Sequence, residues 1–192
     1  MSSNPDFSAR DASTGVDPLF LERWSPRAFQ PHEIELATLT RIMDAARWSP
    51  SCFNAQPWRF FTSTQDTFAE FLDLLVDANQ AWAKDASVLG FLVAQKNFEH
   101  NGKANDHARF DCGAAWMSMS LQARKEGLHT HGMAGIKFDA IADYLQLDQD
   151  AYSIVMAFTI GKLADFDTMS DEQRAAEVPN DRKALAEVWK SI

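Results

Sequence analysis

Apolar residues recur three or four positions apart in several stretches of the chain, which is the spacing of an amphipathic helix. This pattern predicts helices over residues 36–46, 68–75, 110–126, 138–145 and 184–189. Asp17 followed by Pro18 predicts the start of a shorter helix, because Asp is a favoured N-cap and Pro suits the first turn. Gly127 is the expected C-cap of the long helix over 110–126.

Three other stretches are rich in apolar, aromatic and β-branched residues and predict buried strands over 58–64, 86–95 and 152–160. The stretch 86–95 is almost continuously apolar, which is typical of a central strand covered on both faces. Residues 77–85 are polar and are expected to form a connection between elements. Because no internal repeat or low-complexity linker divides the chain, we predict one domain over 17–192, preceded by a flexible N-terminal arm at 1–16.

The net charge of −9 and the pI of about 4.9 argue against a general binder of nucleic acid or acidic membranes. The two cysteines, Cys52 and Cys112, form no CxxC motif and are too few for a disulfide framework or a zinc cage. We see no signal peptide and no apolar run of about 18 residues that would predict a membrane span. The reducing cytoplasm is therefore the expected location.

The stretch 47–58 concentrates unusual residues between a predicted helix and a predicted strand. Pro50 ends the helix by restricting Ser49, and Pro57 restricts Gln56 in the same way. Between the prolines, the side chains of Ser51, Asn54 and Gln56 can each donate and accept hydrogen bonds. Such a set suits a flat heterocycle with donor and acceptor edges, and it equally suits a structural loop whose polar groups satisfy their own backbone.

Two further stretches carry weaker signals. Arg23, Ser25 and Arg27 lie within five residues, so they form either a compact anion site or a solvated turn. Gly132 and Gly135 bracket a segment whose main chain a ligand can approach, although a simple turn would have the same composition. The two histidines just before it are a weak metal signal, because no carboxylate or Cys lies nearby, and we predict no metal site.

The segment Pro50-Ser51-Cys52-Phe53-Asn54-Ala55-Gln56-Pro57-Trp58 resembles the Pro-Ser-Ser-x-Asn-x-Gln-Pro-Trp signature of the FMN-dependent nitroreductase family. Weaker family elements follow in matching order over about residues 17–190, including an Arg-x-Ser-x-Arg element and a strand ending in Ile-Gly. The resemblance implies an α+β fold in which helices flank a central, mostly antiparallel sheet. It also implies an interlocked homodimer with FMN at the subunit interface.

The resemblance further implies which residues contact FMN. One subunit would contact the phosphate and ribityl chain of FMN, and the partner would supply the loop that hydrogen-bonds to the flavin ring. The implied cofactor-binding residues are Arg23, Trp24, Ser25, Arg27, Arg182, Ser51, Cys52, Asn54, Gln56, Met133, Ala134 and Gly135. The N–H groups of Ala134 and Gly135 would face N5 and O4 of the flavin. Trp24 stands where relatives often have a second basic residue, which removes one possible charge. Asn180 stands where a Lys is often found, so the second phosphate contact in the C-terminal tail is in doubt.

The implied activity is reduction of small electron-poor acceptors, such as nitroaromatics or quinones, by ping-pong hydride transfer from NADH or NADPH through flavin N5. No catalytic side chain is implied, because the flavin carries the chemistry. No Gly-x-Gly-x-x-Gly follows a strand, which fits one site shared by donor and acceptor. Two alternatives stay open: a non-enzymatic FMN-storage protein, and a specialised family member acting on one metabolite.

Two residues keep an open role at this point. Cys52 stands where the family usually has Ser, so it is either a redox thiol or a conservative substitution in a packed loop. Asn79 lies in a region where relatives often place an Asn against the pyrimidine edge of the flavin, although surface Asn residues are common.

Overall fold

Strand β5 (Tyr152–Leu163) is the strand to which three others pair in a five-stranded sheet. The computed structural model describes residues 5–10 and 13–192, so residues 1–4, 11 and 12 of the predicted arm lie outside the described residues. The other strands are β1 (Phe29–Gln30), β2 (Trp58–Thr62), β3 (Val88–Gln95) and β4 (His129–Met133). Their order is β1-β5-β3-β2, with β4 also on β5, and every described pairing is antiparallel.

Eight helices surround the sheet within the described ranges. They are α1 (Pro18–Glu22), α2 (Leu36–Arg47), α3 (Phe68–Asp73), α4 (Asp77–Ala83), α5 (Ala108–Lys125), α6 (Phe138–Tyr144), α7 (Asp171–Ala176) and α8 (Leu185–Val188). Short 3₁₀ turns occupy Cys52–Asn54 and Phe166–Thr168. Asp17 caps α1 by accepting a hydrogen bond from the Leu19 N–H at 2.8 Å, as predicted. Helices flanking an antiparallel sheet confirm the expected α+β class.

The sheet is buried on both faces, and β3 shows why its sequence is continuously apolar. Leu92 and Ala94 pack on one face with α2 and α5, in a core that includes Ile42, Met119 and Phe158. The alternate residues Leu89 and Phe91 pack on the other face, in a core built with α3, α4 and α6. This second core also contains Phe71, Leu75, Met133 and Ile141. Alternation along one strand therefore supplies two cores.

Three predicted boundaries need correction. The stretch 77–85 is not an irregular connection, because residues 77–83 form α4, whose first amides bond to the Val76 carbonyl. Strand β5 does not end at Gly161 but continues to Leu163, because β1 pairs with its last two residues. A Cβ at Gly161 would lie 2.7 Å from the Phe29 ring, so this glycine lets β1 approach. The region after β5, expected to be irregular, contains α7 with a Ser170 capping box.

The register of β5 places two chain segments at opposite ends of the sheet. Trp58 pairs with Ala94, which pairs with Ser153 near the start of β5. Phe29 pairs with Leu163 at the end of β5. At about 3.3 Å per residue, these two ends of β5 are roughly 30 Å apart. Within the described residues, no helix is long and apolar enough to cross a membrane.

Candidate functional site

Three arginines from distant parts of the sequence form a positively charged cluster. Arg10, Arg23 and Arg182 lie close enough that burial, followed by the charges of Arg182 and Arg23, lowers the pKa of the Arg10 guanidinium. Burial and the charge of Arg182 likewise lower the pKa of Arg23. The described ion pairs join Arg41 to Glu126, Arg47 to Asp44, Arg59 to Glu99 and Arg124 to Glu22. The three clustered arginines are therefore without a carboxylate partner among the described residues, an arrangement suited to binding an anion.

Arg27 belongs to a different group from Arg23, although both were predicted in one compact anion site. The Arg27 guanidinium carbon lies 6.0 Å from the centroid of the Trp82 ring, at the distance of a cation–π contact. The Trp82 ring lies 4.6 Å from the His131 ring, centroid to centroid. Ser25, between the two arginines, is exposed. The predicted Arg-x-Ser-x-Arg element thus divides between an arginine cluster and an aromatic stack.

His131 has a defined tautomer in this stack. Its Nδ1 lies 2.9 Å from the Pro26 carbonyl oxygen. A carbonyl only accepts, so Nδ1 carries the proton and Nε2 is left as an acceptor in the neutral ring. Burial is the main cause that lowers the pKa of His131, which favours this neutral form. The imidazole therefore fixes the Pro26 turn while facing Trp82.

Trp24 is buried, with 4% of its surface exposed, and its ring meets the buried His129 edge-on at 6.3 Å. Its indole N–H has no hydrogen-bond partner among the described residues. The side chain that the family resemblance placed among the FMN contacts therefore points into the protein core.

Asn79 lies directly against the predicted Met133–Gly135 element. Its Nδ2 donates to the Gly135 carbonyl at 2.8 Å, and the Val76 N–H donates to the same carbonyl at 3.2 Å. A Cβ at Gly135 would lie 2.7 Å from Asn79 Nδ2 and 2.9 Å from Val76 Cγ2. Glycine is thus required here for the close approach of α4. Ala134 is exposed beside it and Met133 is buried in the core.

The predicted loop at 51–56 is held by its own polar groups. Ser51 Oγ accepts the Gln56 N–H at 2.9 Å, and Gln56 Nε2 donates to the Asn54 backbone and side-chain oxygens at 3.2 Å. These bonds are those expected of a self-satisfied loop. The Asn54 backbone N–H donates to the Ser51 carbonyl at 2.9 Å. The Ser51 hydroxyl proton and the hydrogens of the Asn54 side-chain Nδ2 have no partner among the described residues, so these donors remain for a ligand.

Backbone strain distinguishes this loop from an ordinary turn. Phe53, Asn54 and Gln56 have φ values of 50°, 54° and 47°, in the left-handed region that non-glycine residues rarely adopt. Each such residue costs about 1–2 kcal/mol relative to the right-handed region. Three of them within four positions persist only where the surroundings impose them, as is common at ligand sites. Strain therefore favours a binding role over a purely structural one.

Helix α5 supplies the anchor that imposes this conformation. The buried carboxylate of Asp111 accepts the Cys52 N–H at 3.1 Å. Ser118, two turns along α5, shares a 2.7 Å hydrogen bond with the buried Ser49 hydroxyl. The Cys52 thiol itself is half-buried, whereas burial raises the pKa of the Cys112 thiol to about 12 and keeps it protonated.

The predicted site residues thus fall into two separate groups. One group runs from the end of β5, near which Arg23, Ser25, Arg27 and Arg182 lie, to the middle of β5, where Met133 pairs with Ala157 and is followed by Ala134 and Gly135. The other is the loop with Ser51, Cys52, Asn54 and Gln56, at the opposite end of β5. Among the described residues, no hydrogen bond or ion pair joins the two groups.

Sequence reasoning missed three participants. Arg10 lies in the predicted flexible arm, and Trp82 lies in the predicted polar connection. Glu177 is buried after α7 and accepts the backbone N–H groups of Arg27 and Ala28 at 2.8 Å each. Trp82 could have been found from its position three residues after Asn79, because residues one helical turn apart lie on the same face of a helix. Arg10 and Glu177 had no local signal, because their partners are distant in the sequence.

Comparison with known proteins supports the resemblance. The model of the nitroreductase family matches residues 21–79 and 64–162. A crystal structure described as an oxidoreductase containing FMN is 38% identical, covers 99% of this chain and 96% of its own, and superposes with a TM-score of 0.87. The Bacillus subtilis (strain 168) protein named "Putative NAD(P)H nitroreductase YdgI" is 26% identical over 74% of this chain and 86% of its own length.

More distant structures share the fold. A nitroreductase-like protein from Exiguobacterium sibiricum 255-15, crystallised with FMN, is 21% identical, with a TM-score of 0.77 and coverage of 100% of this chain and 99% of its own. An enone reductase of gut-bacterial fatty acid biohydrogenation is also 21% identical, with a TM-score of 0.71 and the same coverage.

Proposed function

Because the chain belongs to the nitroreductase family, we propose that it is an FMN-dependent oxidoreductase that uses NADH or NADPH to reduce small electron-poor acceptors, such as nitroaromatics or quinones. The family membership supports a flavin enzyme of this general kind. The identity of the electron donor and acceptor is the part that requires the experiment below.

The residues present fit the chemistry of FMN. The arginine cluster has no carboxylate partner among the described residues, and a phosphate monoester would supply the missing negative charge. Because Gly135 lacks a Cβ, it packs directly against Asn79 and Val76, and this contact fixes the main chain of Ala134 and Gly135, whose N–H groups we assign to the flavin ring. Ser25 and Arg27 are exposed between these two features. We therefore assign Arg23, Arg182, Ser25 and Arg27 to the phosphate and ribityl side, and residues 133–135 to the ring.

The observation that carries the proposed assembly is the register of β5. The loop with Ser51, Cys52, Asn54 and Gln56 lies about 30 Å along the sheet from the arginine side, which is too far to close around one FMN. Two copies related by a twofold axis would bring the loop of one subunit to the arginine side of the other. We therefore propose a homodimer in which both subunits contribute to each site.

Exposed apolar side chains support the dimer. Phe110 on α5 is 80% exposed, although the opposite face of this helix is buried in the core. Gly113, one turn further along, is also exposed and would permit close helix approach. Leu185, Val188 and Trp189 in the C-terminal tail are each at least 55% exposed. Such apolar surface is typical of an interface between subunits.

Bound FMN would supply hydride transfer at N5 between NAD(P)H and the acceptor. The protein's own residues would fix the cofactor and its surroundings. Arg27 would place a positive charge near the cofactor, held by Trp82 and by the Glu177 contact to its backbone. Neutral His131 would hold the turn at Pro26 without adding charge. Two unpaired cysteines are consistent with the proposed cytoplasmic location.

The test is an absorbance spectrum of the purified protein, followed by anaerobic addition of NADH or NADPH and then of a quinone or nitroaromatic. We expect a flavin spectrum that bleaches with one of the donors and recovers with the acceptor. A flavin that stays oxidised with both donors would favour FMN storage. Bleaching without recovery by either acceptor would favour a specialised enzyme acting on one metabolite. No flavin, even after reconstitution with FMN, would contradict the proposal.

A further inference from the structure

Arg10 is bound to three backbone carbonyls that belong to two separate segments. Its Nε donates to the Asn180 carbonyl at 2.9 Å, and its Nη1 donates to the carbonyls of Leu21 and Arg23 at 2.5 and 3.0 Å. These bonds connect the N-terminal segment, the end of α1 and the C-terminal tail. They also hold Arg10 beside the backbone of Arg23.

The three bonds leave part of the guanidinium unused. An arginine side chain has five N–H donors, one on Nε and two on each Nη. The bonds above occupy Nε and Nη1, and both donors of Nη2 lack a partner among the described residues. Because the Nε and Nη1 bonds hold the Arg10 guanidinium in place, little side-chain entropy is lost when Nη2 binds an oxyanion. The side chain is therefore preorganised for such a ligand.

The charge around Arg10 indicates the missing partner. Arg23 and Arg182 are its charged neighbours, and Lys183 lies with Arg10 and Arg182 on the wall of a cavity of about 570 Å³. Phe20, Leu185 and Val188 line the apolar side of that cavity. Like charges brought together without an anion destabilise the fold, so the cluster favours a ligand with more than one negative charge. A phosphate monoester has that charge and presents three oxygens to the donors.

We propose that Arg10 is a further guanidinium of the cofactor phosphate site, beside Arg23 and Arg182, so that the N-terminal segment contributes directly to FMN retention. This inference rests on the proposed function. It extends that function to a residue outside the segment matched by the family model, which begins at residue 21. The same phosphate chemistry is carried by the 2′-phosphate of NADPH, so the experiment must separate the two sources.

The experiment compares FMN with riboflavin, which has the same ring system and no phosphate. Apo-protein is titrated with each flavin, and binding is followed by quenching of flavin fluorescence. We expect Arg10→Ala to raise the Kd for FMN at least about tenfold, the lower range for losing one charge-assisted hydrogen bond, and to change the Kd for riboflavin less than about twofold. Arg10→Lys keeps the charge without the fork and should be intermediate. Arg41→Ala removes an exposed arginine that pairs with Glu126 and serves as the matched control.

Three results would overturn the inference: an unchanged FMN affinity in Arg10→Ala, an equal loss of FMN and riboflavin affinity, or a rise in the KM for NADPH alone. If Arg10→Ala does not fold, Arg10→Lys and the salt dependence of FMN binding carry the test. Weakening of wild-type FMN binding by salt, with riboflavin unaffected, is expected, and salt-independent FMN binding overturns the inference. A wild-type protein that binds neither flavin would instead contradict the proposed function.

Discussion

Glu177 and Arg27 are 150 residues apart in the sequence, yet one carboxylate oxygen of Glu177 accepts the Arg27 backbone N–H at 2.8 Å. The same oxygen accepts the Ala28 N–H at 2.8 Å. Burial raises the pKa of the Glu177 carboxyl, and the two backbone hydrogen bonds act against this rise. The segment after α7 therefore determines the conformation of the turn that presents Arg27.

Replacing Glu177 tests this relationship. Glu177→Ala leaves two backbone N–H groups unpaired, so we expect the free energy of unfolding to fall by about 2 kcal/mol, with weaker FMN binding. Glu177→Gln keeps an oxygen acceptor and should lose less than half as much. Urea unfolding and flavin titration measure both quantities. If the Ala variant matches the wild type in stability and affinity, Glu177 does not position the turn.

Arg27→Ala tests the arginine itself. We expect this change to weaken FMN binding by about 1.5–3 kcal/mol, because it removes a charge-assisted contact to the cofactor phosphate. The Kd from fluorescence quenching gives the value, with Arg41→Ala as the control for loss of a surface charge. Unchanged FMN affinity would rule out the assignment of Arg27 to the phosphate. An equal loss of riboflavin affinity would instead indicate that Arg27 contacts the flavin ring, on the side where Trp82 and His131 lie.

Gly135 offers a test based on close packing. Gly135→Ala places a Cβ 2.7 Å from Asn79 Nδ2, so we expect a loss of about 1–3 kcal/mol in stability, together with reduced flavin content. The double variant Asn79→Ala/Gly135→Ala removes that neighbour and should recover part of the stability of the single variant. Thermal unfolding of the four proteins completes a double-mutant cycle. Strictly additive effects would show that Asn79 is not the cause of the restriction.

The sheet and its main helices could be predicted from the sequence, because their burial leaves a periodic pattern. β3 is apolar throughout since both of its faces are covered. α5 ends at Lys125 with Glu126 as its C-cap, one residue before Gly127, whose φ of 77° suits glycine. Helix α4 could not be predicted in this way. Among its seven residues only Ala83 is fully buried, so the helix leaves little apolar periodicity in the sequence. Its place depends on the bond between Asn79 and Gly135, 56 residues away.

The sequence predicts a set of site residues and does not predict how they are arranged in space. The loop and the Arg-x-Ser-x-Arg element have recognisable local motifs, but their separation along the sheet follows from strand register. Arg10 and Glu177 take part through contacts to segments 11 to 170 residues away in the chain. A local sequence pattern depends only on neighbouring residues, so it cannot reveal contacts between segments that are distant in the chain.

His129 gives a prediction about pH. Burial, with the charges of Arg124 and Arg23, lowers the pKa of His129 to about 4 in the folded protein, below its ordinary value of 6.5. Between these two values the unfolded chain binds more protons, so the free energy of unfolding falls as the pH is lowered through this window. The whole shift corresponds to about 3 kcal/mol.

His129→Leu removes the titrating group while keeping a buried side chain. We expect the stability of the wild type, relative to this variant, to rise by about 3 kcal/mol between pH 4 and pH 7 in urea unfolding experiments. His32→Gln, at an exposed histidine, controls for the loss of a histidine from the chain. Parallel pH profiles for the wild type and His129→Leu would contradict a neutral, buried His129.

Phe110 tests the proposed assembly. Its side chain is 80% exposed on α5, the helix that also anchors the strained loop through Asp111. Phe110→Glu would place a charge at the proposed interface, so we expect analytical ultracentrifugation to show a larger fraction of monomer at equal concentration. FMN content should fall with the dimer fraction, because each site would need the loop of the partner.

Phe138→Glu is the matched control, since Phe138 is 49% exposed on α6, which packs on the opposite face of the sheet from α5. This variant should remain dimeric and retain FMN. The two measurements must change together in Phe110→Glu if the site is shared between subunits. A monomeric Phe110→Glu protein that keeps its full complement of FMN would show that one chain forms a complete site, and the separation of the two groups along β5 would then require another explanation.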